Sequence, residues 1–199
     1  DALDCFKLLH TMPMGYAFEP LRGWTARFIR AGHILGASCL LLEVGGRKIL
    51  FSGDLGRPDD LLMLPPEKPP AADAVVVEST YGDRDHPDED VLAELGPALQ
   101  RVAARGGTAV LPVFAVGRAQ EILHAIALLK ANGVLPSALP VYLDSPMAIH
   151  TTDLYDRYLG EHRLNAAQCR AMEHVARMTN SVEQSKAIAQ QHGPKIILA

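Results

Sequence analysis

Up to about residue 80 the apolar positions fall in short strand-like runs, and beyond it they recur at helical spacing between further short runs. Residues 24–29, 39–44 and 48–51 read as strands, and Gly45-Gly46 between the last two is a hairpin signal, because both turn positions need positive φ. Five prolines within 58–70 predict a surface loop. Residues 74–77 form an unbroken apolar run, the mark of a strand buried on both faces. Leu92, Leu95, Leu99 and Val102 then recur at steps of three and four, predicting an amphipathic helix over 88–104 that Gly96-Pro97 should kink or divide. Residues 108–114 read as a buried strand. A helix follows with Ile122, Leu123, Ile126 and Leu129 on one face and Gly133 at its close. A strand over 141–144, a helix over 147–159 and a helix over 181–191 come next, the last with Asn180 and Glu183 as a capping box. Residues 195–198 read as a further buried strand. Strands alternating with helices argue for a parallel α/β sheet in the second half.

Composition narrows the class without naming a function. The 199 residues are 48% hydrophobic and 21% charged, as in an ordinary globular protein, which excludes disordered and collagen-like chains. No apolar stretch approaches the length of a membrane span, so no membrane partner is expected. Cys5, Cys39 and Cys169 are far apart and form no CxxC. That excludes a disulfide scaffold or Cys-rich zinc knuckle and makes the cytoplasm the expected compartment. The net charge of −4 is uneven: residues 1–99 carry −7 and residues 100–199 carry +3, a weak basic bias in the second half. The chain starts at Asp1 and stops at Ala199 just after an apparent core strand, so an excerpt of a longer protein is expected.

Three segments carry candidate chemistry. Ala31-Gly32-His33-Ile34-Leu35-Gly36-Ala37 places a histidine in a glycine-flanked turn after a strand. Phe51-Ser52-Gly53-Asp54-Leu55-Gly56-Arg57 puts an aspartate at a strand end, and Glu78-Ser79-Thr80-Tyr81-Gly82-Asp83-Arg84 an acid leaving an apolar run. Strand ends are where α/β enzymes place reactive groups. Imidazole and carboxylate both suit zinc. His10, His86, His124, His150, His162, His174 and His192 show no ligand-like spacing and read as structural or solvated.

Taken together, and with Pro112-Val113-Phe114-Ala115-Val116-Gly117-Arg118-Ala119-Gln120-Glu121 and Tyr142-Leu143-Asp144-Ser145-Pro146-Met147-Ala148, these segments resemble the metallo-β-lactamase-fold nucleases of the β-CASP family. The resemblance implies a mixed α/β chain: part of a metallo-β-lactamase αββα sandwich over residues 1–80, joined to an α/β β-CASP domain with a parallel sheet over 81–199, truncated at its C-terminal end. It also implies a zinc-dependent ribonuclease with two zinc ions. His33 would bind one metal and Asp54 would bridge both, so that a metal-held hydroxide attacks the phosphorus in line. Asp54 and Glu78 would be the catalytic carboxylates, with Glu78 orienting a histidine. Arg118 and Ser145, each at the start of a predicted helix, would hold RNA phosphates; helix capping is the alternative role for both.

The departures matter equally. The family's His-x-His-x-Asp-His motif and its two later histidines are absent from these residues. His33 and Asp54 alone cannot close a tetrahedral zinc site. This chain by itself is therefore expected to be inactive. Single-stranded RNA is the expected partner and DNA is possible. A homo-oligomer is possible through exposed sheet edges. The alternatives are a catalytically silent structural β-CASP paralogue serving as a partner subunit, or a DNA-acting nuclease of the same family. Retention of His33, Asp54 and Glu78 argues against the silent paralogue.

Overall fold

The computed structural model describes residues 2–85 and 90–199, and the chain divides into two compact units, Asp1–Asp85 and His86–Ala199. His86 and the first two residues of the helix expected from 88 lie outside the described residues.

The first unit opens with a short helix, α1 (Ala2–Cys5), and then builds one five-stranded sheet. Strands β1 (Ala17–Leu21), β2 (Trp24–Arg30), β3 (Ser38–Val44) and β4 (Arg47–Phe51) run antiparallel in sequence order, and β5 (Ala74–Val76) joins β4 in parallel. The β3–β4 hairpin closes on Gly45-Gly46 at φ +58° and +74°, with Val44 opposite Arg47, as the sequence predicts. Alternate residues of these strands turn inward, so Ile29, Ala31, Cys39, Leu41 and Leu50 form the core.

Two expectations fail here. β5 is exposed along its length, with Val75 and Val76 more than half accessible: it is the edge strand, and nothing in its unit covers it. The proline-rich loop is not wholly a surface feature, because Leu62 and Met63 are buried. The Asp60 carboxylate accepts both their N–H groups, at 2.8 and 2.7 Å, which turns them inward.

The second unit holds a four-stranded, all-parallel sheet in the order β6-β9-β7-β8: β6 (Thr108–Leu111), β7 (Val141–Leu143), β8 (Arg177–Met178) and β9 (Lys195–Leu198). Its helices are α2 (Val91–Ala104), α3 (Arg118–Ala131), α4 (Pro146–Arg157), α5 (Ala166–His174) and α6 (Val182–Gln190). The mixed α/β class with a parallel sheet in the second half stands as expected.

Its details differ in four places. α2 runs unbroken through Gly96-Pro97, because packing on α3 outweighs the missing hydrogen bond; Gly96 is buried, and a Cβ there would lie 3.0 Å from Leu129 Cδ2. β6 ends at Leu111 rather than 114, although the Val113 N–H still donates to the Ala199 carbonyl at 2.9 Å; it is an edge strand rather than a buried one, with Val110 61% and Phe114 85% exposed. The cap of α6 is Ser181, one residue beyond the expected Asn180: its Oγ accepts the Gln184 N–H at 3.2 Å. α5 and β8 carried no expectation; α5 buries only Cys169 and Met172, too few positions to show a period.

Candidate active site

Three loops of the first unit meet at one end of its sheet. The chain leaves β2 through Ala31–Ala37, a tight turn closed by Ala31 N–H to the Ala37 carbonyl and Ala37 N–H to the Ile34 carbonyl, both 3.0 Å. Gly32 (φ +72°) turns where no side chain fits, since a Cβ would stand 2.6 Å from the Leu64 carbonyl oxygen. The chain leaves β4 through Ser52, Gly53 and Asp54, and Gly56 lies directly on the histidine turn. Its N–H donates to the Ala31 carbonyl at 2.9 Å, and a Cβ on it would overlap the Gly32 carbonyl and lie 2.7 Å from the His33 nitrogen. Only glycine allows that approach, which brings the loops bearing His33 and Asp54 into backbone contact. Both of these side chains are exposed.

Glu78 completes the arrangement. Ser52 N–H donates to the Val76 carbonyl at 2.9 Å, and Glu78 N–H to Ser52 Oγ at 2.9 Å. Glu78 Oε1 accepts the Leu55 N–H at 2.6 Å. That bond, above all, holds the Glu78 carboxyl below the usual carboxylate range; the Thr80 hydroxyl and the charge of His33 act in the same direction. The carboxylate thus pins the residue after Asp54. Ser52, buried and donating to the Gly53 carbonyl at 2.7 Å, is the second half of this clamp. Sequence reasoning passed over Ser52; its one signal was a hydroxyl next to an apolar strand in Phe51-Ser52-Gly53-Asp54.

His33 and Asp54 are the donors here with zinc-suited chemistry, but two donors do not close a zinc site. Among the described residues no three His, Cys, Asp or Glu side chains group as metal ligands. The cysteines offer no alternative: burial pushes the Cys39 and Cys169 thiols up, away from the reactive thiolate. His162 is structural, with Nε2 2.8 Å from the Tyr155 carbonyl oxygen and Nδ1 accepting the Leu164 N–H at 3.1 Å.

In the second unit, Arg118 opens α3 after β6 and Ser145 caps α4 after β7, both beyond the carboxyl ends of parallel strands, where α/β proteins bind ligands. Arg118 donates to Glu121 Oε2 at 2.6 Å and remains half exposed. Ser145 Oγ accepts the Ala148 N–H at 3.3 Å, so its own hydrogen is available to a ligand. Between these helix starts lies Gln120, fully buried, which the sequence reading quoted without giving it a role.

The family profile of the Beta-Casp domain matches residues 119–199. A ribonuclease of Thermus thermophilus is 34% identical over 205 aligned residues, covering 96% of this chain and 45% of that protein. Residues 119–199 belong to the β-CASP family. Other relatives are the cleavage and polyadenylation specificity factor 73 of Drosophila melanogaster, 35% identical over 65% of this chain and 19% of its own length, and an RNase J-like protein of Methanocaldococcus jannaschii, 36% identical over 67% and 32%. The chain spans less than half the length of the curated relatives it matches. No helix among its described residues is long and apolar enough to cross a membrane.

Proposed function

We propose that the protein carrying this chain is a metal-dependent ribonuclease that hydrolyses phosphodiester bonds of single-stranded RNA in RNA processing or decay. The observation that carries this reading is the junction of Gly56 with the Gly32–His33 peptide, locked by Glu78 on the Leu55 N–H, which gathers His33, Asp54 and Glu78 at one sheet end. The names of the relatives, ribonuclease, endoribonuclease and RNase J-like protein, supply the substrate class. In this reading residues 1–80 belong to a metallo-β-lactamase domain and 81–199 to the β-CASP domain. His33 and Asp54 each contribute a ligand to a zinc centre whose other donors are not among these residues, so the chain alone is inactive. Glu78 sets the Asp54 loop, and Arg118 and Ser145 hold RNA phosphates by charge-assisted hydrogen bonds. The working compartment is the cytoplasm.

The test is cleavage of an end-labelled single-stranded RNA by the full-length protein. His33→Ala and Asp54→Ala should each lower the rate at least a hundredfold while the thermal midpoint stays near that of the wild type. Wild-type rates in either variant overturn the assignment. Single-stranded DNA of the same sequence, run in parallel, decides between RNA and DNA action.

A further inference from the structure

Gln120 has no exposed surface, yet it is a polar residue in a place where leucine or methionine would pack. Its hydrogen-bonding capacity is filled from two helices. Oε1 accepts the Gly117 N–H at 2.8 Å; of the two Nε2 hydrogens one goes to the Ala115 carbonyl at 3.1 Å and the other is shared between the Ala148 carbonyl at 3.2 Å and Thr152 Oγ1 at 3.1 Å. Thr152 Oγ1 in turn donates to the Ala148 carbonyl at 2.8 Å, which leaves its lone pairs to receive Gln120. One carboxamide therefore joins the turn that opens α3, where Arg118 stands, to the first turns of α4, where Ser145 stands. Gly117 adopts φ +85° in that turn, a conformation that needs outside support to hold one geometry. A satisfied buried network of this kind fixes a single arrangement.

We propose that Gln120, acting through Thr152, is a positioning residue that sets the spacing at which Arg118 and Ser145 receive phosphates of one single-stranded RNA. The inference rests on the phosphate-binding role given to those two residues above. A capping role alone would need only the Gly117 bond; the Nε2 donations to Ala115 and, across to α4, to Ala148 and Thr152 go beyond it.

The experiment measures binding of a fluorescent single-stranded RNA to the full-length protein in EDTA, where cleavage does not interfere, over a series of potassium chloride concentrations. Thr152→Val keeps the shape and the Gly117 bond but removes the hydroxyl at the α4 end. It should weaken binding about three- to tenfold and flatten the slope of log affinity against log salt by about 0.7, the value of one single-strand phosphate contact. Thr152→Ser, which restores the hydroxyl, should match the wild type. If Thr152→Val does not fold, Thr152→Ala carries the same expectation, since it also removes the hydroxyl at the α4 end, keeps the Gly117 bond and suits a helix. Wild-type affinity and slope in the folded variant, with Arg118→Ala and Ser145→Ala still weakened, overturn the positioning role and leave the phosphate reading intact. Wild-type binding in Arg118→Ala and Ser145→Ala overturns the phosphate reading and this inference with it.

Discussion

At the scale of single residues, the Glu78 carboxylate works through the backbone. It takes the Leu55 N–H and receives its own N–H support from buried Ser52, so two strand ends are tied across one short loop. Glu78→Gln retains an oxygen for Leu55 but loses the charge that strengthens the bond. In the full-length protein it should slow RNA cleavage while bound zinc, measured by elemental analysis, stays at the wild-type level; loss of the metal would make Glu78 a support of the metal site instead. The candidate residues were legible in sequence, because a histidine, an aspartate and a glutamate each follow an apolar run. The clamp was not. Ser52 acquires meaning only when β4 and β5 pair in parallel and place its hydroxyl beneath Glu78.

Among the elements, α3 shows most clearly what packing adds to a periodic pattern. The expected face of Ile122, Leu123, Ile126 and Leu129 is real, but the helix also buries Gln120 and His124. Sequence reading left His124 as structural or solvated; the fold makes it a core residue, 3% exposed, with an Nδ1 that has no hydrogen-bond partner. Desolvation lowers its pKa below the ordinary histidine value. The unfolded chain therefore binds the proton first, at a pKa of about 6.5, and the stability tied to neutral His124 is complete above that pH and declines as pH falls toward the lower folded value. Thermal midpoints of the wild type should fall more steeply between pH 7.5 and 5 than those of His124→Leu; parallel profiles would rule this coupling out. α2 makes the complementary point: helix propensity warns against Gly96-Pro97, yet the close approach of Leu129 and Val134 favours the residue without a side chain.

For the whole molecule, the donor set leads to a measurable expectation. His33 and Asp54 are two candidate ligands where zinc takes three or four, so this 199-residue chain should retain close to no zinc after dialysis. One or two tightly held ions, lost in His33→Ala, would show that other residues or a second copy of the chain complete the site. The sequence by itself determined the α/β class, most helices and strands, the Gly45-Gly46 hairpin and the candidate residues, because periodicity, turn chemistry and motif order are local properties of a chain. It misjudged residues 74–77 and 108–114 for a shared reason: an apolar run records the preference for a strand, whereas burial depends on what lies beside it. β5 and β6 are both left at sheet edges, where Val75, Val110 and Phe114 stay exposed. Tertiary structure alone decided that Gly56 rests on the His33 turn, that Glu78 reaches the Asp54 loop, and that Gln120 ties α3 to α4. Each of these joins residues more than twenty positions apart through contacts that exist only once the strands and helices have packed.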